Sequence, residues 1–292
     1  MFGPDSETNG KPPRFPRNGS FRSAHRQAPG PVVSDRHFGI GADGLLLALP
    51  SKMADFKMRM FDPDGTEAET CGNGLRCLVK YVLEKGLVRT GTGQLLVETI
   101  AGIRKVELEW SGNRPAYIKV SMGNPEFAAR EIPVVIEPGG ELVDIKNMLG
   151  YPVTVENTKL LLNLVSMGNP HAVYFWQHPV YEFPLSKLGP KVENLPVFTK
   201  RVNFEVAQVV NRKKIEARVW ERGAGETLAC GSGACAIAVA ARLNGYVDSK
   251  VDIKLPGGVL GVEWDGVGEV YLSGPAEIVF IGEWPNENVK KD

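Results

Sequence analysis

The chain has 292 residues, and its 34 Lys plus Arg are balanced by 34 Asp plus Glu. That length exceeds one typical compact domain, so two domains or one large sheet sandwich or barrel are the starting options, and either buries a real core. Zero net charge gives no field to gather nucleic acid or an anionic membrane surface, which leaves a small, individually recognised ligand as the expected partner. No run approaches the roughly 18 apolar residues of a membrane span, and the N-terminus lacks the apolar core of a secretory signal, so a cytoplasmic location is expected. In that compartment the four cysteines read as free thiols, metal ligands or catalysts rather than as structural disulfides.

Residues 1–31 hold six Pro, four Gly and no Leu, Ile or Val, a composition expected to be disordered or loosely attached. From Val32 onward the texture is short alternating runs between Gly, Pro, Asn and Asp, and Leu45 to Leu49, Tyr117 to Val120 and Ile215 to Val219 read as strands. In the last of these, Ile215, Ala217 and Val219 face one way and Glu216 and Arg218 the other, as in a sheet with one covered face. Leu75, Leu78, Val79, Val82 and Leu83 fall on one helical face, and Gly86 stands where that helix would stop. From Ala234 to Leu243 every residue but Arg242 is apolar, which predicts a second helix surrounded by protein and ended at Gly245.

The chain also repeats itself. Val-Ser-Met-Gly-Asn-Pro occurs at 120–125 and at 165–170, and Cys-Gly-Asn-Gly at Cys71 parallels Cys-Gly-Ser-Gly at Cys230. Each cysteine motif leads into a predicted helix, so two similar halves, each presenting one cysteine loop, is the economical reading. Helix starts carry partial positive charge and unpaired N–H groups, and cysteines placed there are expected to be more acidic. In Gly72-Asn73-Gly74 and Gly231-Ser232-Gly233 the small residues let backbone N–H groups approach a carboxylate closely. Racemising an amino acid takes a proton from one face of the α-carbon and delivers another to the opposite face, and two thiols near neutrality suit those two roles. A cofactor-independent two-cysteine racemase or epimerase is therefore the leading expectation. Cys71, Cys77, Cys230 and Cys235 as four zinc ligands would need closer pairs than Cys-x5-Cys and Cys-x4-Cys. Cys77 and Cys235 are expected to be small core residues. A reversible Cys71–Cys230 disulfide in a thiol sensor is a further alternative.

With both loops in view, the chain resembles the diaminopimelate epimerase family. The resemblance covers about residues 32–284 and rests on Asp35 to Gly44 (DRHFGIGADG), Cys71 to Cys77 (CGNGLRC), Met167 to His171 (MGNPH), and Glu221 to Thr227 (ERGAGET) running into Cys230. It implies an α+β fold of two pseudo-symmetric domains, each a mainly antiparallel sheet wrapped around a central helix, with the active site in the inter-domain cleft. The implied division is 32–119 plus 277–292 for one domain and 120–276 for the other. It further implies interconversion of LL- and meso-diaminopimelate in lysine biosynthesis, no cofactor, no metal, and a homodimer. Cys71 and Cys230 become the acid–base pair, with His171 and Glu221 placed to tune them. Gly72, Asn73, Gly231 and Ser232 match the carboxylate-binding helix starts, and Asn169, Asn203, Glu221 and Arg222 match substrate contacts.

Two departures stand out. The family opens on a strand and a Gly-x-Gly-Asn-Asp-Phe segment whose Asn touches substrate, and nothing in residues 1–31 matches it, as though the lead-in had been replaced. Asp62 stands where the family typically has an Asn that touches the distal end of the substrate, and a carboxylate there accepts hydrogen bonds without donating them. The alternatives are a two-cysteine racemase of histidine, hydroxyproline or proline, and a non-catalytic amino-acid-binding or thiol-sensing relative.

Overall fold

A computed structural model describes residues 30–68, 71–111, 114–135 and 148–282. The expectation for residues 1–31 lies outside the described residues for all but the last two of them, and a short helix, Gly30–Ser34, begins the described chain. The three strands read from alternation are present as β1 (Leu45–Leu49), β6 (Arg114–Ser121) and β11 (Lys214–Glu221). In β11 the buried residues are Ile215, Ala217 and Val219, as the period-two pattern requires. Both predicted helices form as well, Gly72–Glu84 after Cys71 and Gly231–Leu243 after Cys230. Each is closed by a glycine in the left-handed region, Gly86 at φ 63° and Gly245 at φ 73°, a conformation that costs glycine nothing.

The remaining strands are β2 (Phe56–Phe61), β3 (Glu67–Ala68), β4 (Gln94–Thr99), β5 (Gly102–Ser111), β7 (Tyr151–Val155), β8 (Thr158–Ser166), β9 (Pro170–Phe175), β10 (Asn203–Asn211), β12 (Gly225–Thr227), β13 (Lys250–Leu255), β14 (Gly258–Glu263) and β15 (Tyr271–Gly274). They join in one sheet in the order β1-β2-β4-β5-β6-β15-β14-β13-β11-β10-β9-β8-β7, with β3 beside β2 and β12 beside β11. Pairing is antiparallel except for β2 with β4, β9 with β10 and β11 with β13. The mainly antiparallel α+β class expected from the sequence is the one observed.

Two of the parallel pairs reveal the internal repeat. Parallel neighbours cannot be joined by a tight turn, so the chain must cross over between them. From β2 it crosses through the Cys71 loop and helix to β4, and from β11 through the Cys230 loop and helix to β13. In each copy a short antiparallel strand, β3 or β12, lies just ahead of the cysteine. The hexapeptide repeat is structural too: Gly123 and Gly168 have φ of 84° and 86°, turning the chain just after β6 and β8.

The Cys71 helix is amphipathic and buries Leu75, Leu78, Val79 and Val82, whereas the Cys230 helix is buried from Ala234 through Ala241. Both helices share one hydrophobic core with strands from either half of the chain. A second core, around Leu160, Leu162, Leu164, Leu185, Leu188, Phe204 and Val206, covers the other face of β8 to β10 with the helix Leu185–Glu193. The two halves meet where β15 pairs with β6 on one edge and β14 on the other.

Candidate active site

Cys71 and Cys230 are the N-cap residues of their helices, where a polar side chain accepts the otherwise unpaired N–H groups of the first turn. Cys71 Sγ accepts the Gly74 N–H at 3.3 Å, and Cys230 Sγ accepts the Gly233 N–H at 3.4 Å. The two helix starts abut. A Cβ placed on Gly231 would stand 3.0 Å from Leu272 Cδ2 and 3.4 Å from Asn73 Oδ1, and one on Gly72 would meet Met122 Sδ at 2.7 Å and the same Leu272 atom at 2.8 Å. A side chain at either position would have to displace Leu272, and at Gly72 Met122 as well, which is the local reason for glycine at both positions.

The electrostatics correct the expectation of acidic cysteines. Burial is the largest influence on Cys71 and pushes its thiol up; the Gly74 and Asn73 N–H groups pull it down, Glu221 pushes it up and Arg76 pulls it down. Cys230 is pushed well above the ordinary thiol value, first by burial and then by Glu221, against the pull of the Ser232 hydroxyl; Glu205 raises it further and the Gly233 N–H lowers it. The helix starts act in the expected direction, but desolvation outweighs them. A further correction concerns Cys77, which is exposed, because position 77 lies across the helix from the buried stripe at 75, 78, 79 and 82. Cys235 is buried as expected.

Glu221 acts on both thiols, and Thr227 Oγ1 donates to its carboxylate at 2.5 Å. His171 is wholly buried and lies within hydrogen-bond range of Glu205 at 2.6 Å and Asn169 at 2.9 Å. Asn169 in turn donates to Ser232 Oγ at 3.3 Å, and Ser232 Oγ is 3.4 Å from Cys230 Sγ. Asn203 spans two segments, donating to the Pro170 carbonyl at 2.9 Å and accepting the Arg222 N–H at 2.8 Å. The Arg222 guanidinium donates to the Lys200 carbonyl at 3.1 Å. Asp62 follows β2 in a turn whose main-chain bonds run to Thr66 and Gly65, and burial, then Asp64, pushes its carboxyl up.

Three residues of this arrangement escaped the sequence reading: Glu205, Thr227 and Arg76. Arg76 is buried one turn into the Cys71 helix, where its guanidinium donates to Asn73 Oδ1 at 3.0 Å. Its place inside a Cys-x4-Arg-Cys run after a glycine loop was visible, but the pairing of Glu205 with a histidine 34 positions away was not.

Two cysteine-capped helix starts abut in a sheet fold with an internal repeat, and the chain is similar in sequence to a class of known amino-acid epimerases. The sequence pattern of the family described as "Diaminopimelate epimerase" matches residues 20–128 and 163–279. A diaminopimelate epimerase of Acetivibrio thermocellus is 49% identical over 252 residues, covering 86% of each chain. Those of Pelotomaculum thermopropionicum (47%, 87% of each chain) and Methanococcus maripaludis (46%, 86% of this chain and 87% of the relative) are similar. Among solved structures, a hydroxyproline epimerase from Agrobacterium vitis superposes with a TM-score of 0.59 at 14% identity, over 82% of this chain and 74% of that one. A phenazine biosynthesis protein of the PhzF family from Bacillus anthracis gives 0.56 at 18% identity, over 80% and 82%. These likenesses concern the fold. The chain belongs to the diaminopimelate epimerase family and is an isomerase.

Proposed function

We propose that this enzyme interconverts LL- and meso-diaminopimelate, the epimerisation of lysine biosynthesis, by passing the α-proton between Cys71 and Cys230. The observation that carries the reading is the abutment of two cysteine-capped helix starts, with Gly231 against Asn73. The first-turn N–H groups of Gly72, Asn73, Gly231 and Ser232 lie at these abutting helix ends, that of Asn73 also acting on Cys71, and an α-carboxylate held by both helix ends is stabilised as it takes up the enolate-like charge of deprotonation. One thiol, ionised, removes the α-proton; the other, protonated, delivers one to the opposite face. Burial raises both thiols, so the resting state that supplies one proton is easily held, and the anion has to be stabilised locally by N–H and hydroxyl donors. His171 and Glu221 set that balance, while Asn169, Asn203, Arg222 and Asp62 hold the rest of the substrate. The chemistry needs no cofactor or metal.

This reading includes units of 32–119 with 277–292 and 120–276, supported by the contact of Lys80 with Glu277 at 3.5 Å and the repeat of the two crossovers. It also includes a homodimer free of nucleic acid and membrane, working in the cytoplasm; no described helix is long and apolar enough to cross a membrane. The test is α-hydrogen exchange in D2O with diaminopimelate, histidine, hydroxyproline and proline offered separately. Exchange of diaminopimelate alone is expected. Exchange of another amino acid in its place would reassign the substrate, and no exchange of any would leave a binding or thiol-sensing protein.

A further inference from the structure

Glu205 lies on β10 beside His171 on the parallel strand β9, and both side chains are wholly buried. Its second carboxyl oxygen has no well-formed hydrogen-bond partner among the described residues, although the Ala172 N–H also acts on the carboxyl. Its first is 2.6 Å from His171 Nδ1, and it also lies 2.9 Å from where a Cβ on Gly233 would stand. A buried acid tucked under the start of the Cys230 helix has a strong reason to be there, because leaving such a group half-satisfied costs stability.

The hydrogen bonds give the chain of groups a direction. Asn169 donates through Nδ2 to Ser232 Oγ, so its Oδ1 is the atom that meets His171 Nε2 at 2.9 Å. An amide oxygen only accepts, which obliges Nε2 to donate. With Nε2 carrying a proton, the short Nδ1 to Glu205 Oε1 contact is bridged by a single further proton, held by either partner. Ser232 Oγ, having accepted from Asn169, has its own hydrogen available for Cys230 Sγ at 3.4 Å once that sulfur is ionised and can only accept. With Cys230 as the thiolate, every donor between Glu205 and Cys230 points toward the sulfur. Burial pushes the Glu205 carboxyl up, which favours retention of that bridging proton.

We propose that Glu205 is a positioning residue for Cys230: by bridging a proton to Nδ1 of His171 it commits Nε2 to donate, and so aligns Asn169 and Ser232 with the Ser232 hydroxyl aimed at the Cys230 thiolate. This deepens the two-thiol reading and rests on it for its effect on turnover, but the alignment itself is a property of the protein without substrate. Glutamine at 205 supplies an N–H to Nδ1 and preserves the direction; leucine supplies nothing.

The experiment uses the full chain with 15N-labelled histidine. Ring-nitrogen shifts of His171, assigned by loss in His171→Gln, report which nitrogen is protonated. The ultraviolet thiolate titration that disappears in Cys230→Ala reports Cys230, and steady-state assays separate kcat from KM. In the wild type Nε2 is expected to be protonated. Glu205→Gln is expected to keep this signature and most of kcat. Glu205→Leu is expected to lose it, to lower the Cys230 thiolate fraction at a given pH about tenfold, and to lower kcat about tenfold at unchanged KM, the effect of one misaligned hydrogen bond. A wild type whose His171 Nε2 is bare overturns the proposal whether or not the leucine variant folds. So does a folded Glu205→Leu with an unmoved Cys230 titration, or a Glu205→Gln that behaves like leucine. Failure of the epimerase reading is distinguishable: it appears as absent α-exchange in the wild type with the histidine signature intact.

Discussion

Asp62 follows β2 with its carboxyl pushed up by burial and by Asp64, so a proton is retained there more readily than on an exposed aspartate. A protonated Asp donates a hydrogen bond much as Asn does, whereas the ionised form repels a substrate carboxylate. Asp62→Asn is therefore expected to lower KM a few-fold at neutral pH, by a margin that narrows as the pH falls and Asp62 takes up its proton. A KM profile for both proteins against pH checks this, and parallel profiles would remove Asp62 from the site. Cys235 carries a separate pH signature, since burial raises its thiol from 9.0 to about 12. Below the lower value both folded and unfolded chains hold the proton and the stabilisation is complete. Between the two values only the unfolded chain loses it, so stability falls by roughly 1.4 kcal/mol per pH unit. Urea denaturation of the wild type across alkaline pH is expected to show this slope, and Cys235→Ala, less stable at neutral pH by the loss of the buried sulfur, is expected to show less of it.

At the scale of elements, the two helices and the cysteine loops were legible because glycine punctuation and a 3.6-residue apolar stripe are local signals. The same stripe placed Cys77 outside: two positions on from Leu75 is the opposite side of a helix, and treating all second cysteines alike overlooked it. Glu205 was illegible for a different reason. β10 is buried on both faces from Asn203 to Ala207, so alternation carries no information there, and the partner that makes a buried acid tolerable sits on a parallel neighbour. The net thiol shifts were illegible too, since a motif reveals the helix start but not the depth of burial. The helix starts also give a steric prediction. Gly72→Ala would place a methyl 2.7 Å from Met122 Sδ and 2.8 Å from Leu272, so it is expected to cost about 1 to 3 kcal/mol and to cut kcat by displacing Cys71. Gly91→Ala, with no atom within 4 Å of the new methyl, is the matched control and should change neither melting temperature nor rate.

For the whole molecule the critical line is the seam at β15. Leu272 is fully buried, pairs with Val120 of β6 and Val262 of β14, and touches the positions of both Gly72 and Gly231. One side chain thus supports both thiol loops and joins the halves of the sheet. Leu272→Ala is expected to lower stability by about 2 to 5 kcal/mol and to reduce kcat more than a mutation of equal cost elsewhere in the core. Leu160→Ala in the second hydrophobic core is the comparison, and equal loss of rate at equal loss of stability would mean that the seam has no special hold on the site.

In the proposed mechanism two thiols work on opposite faces of one α-carbon. The measurement that reaches this most directly is the fate of deuterium when LL- or meso-diaminopimelate is converted in D2O and the mixture is analysed early in the reaction. A proton taken by one sulfur stays with it while the other sulfur supplies deuterium, so the label is expected in the product isomer and not in the recovered substrate, in either direction. In Cys71→Ala and in Cys230→Ala net epimerisation is expected to fall by roughly a hundred-fold or more, as for loss of a general acid or base. Early deuterium in recovered substrate as fully as in product, or turnover unimpaired in either alanine variant, would contradict the two-thiol mechanism.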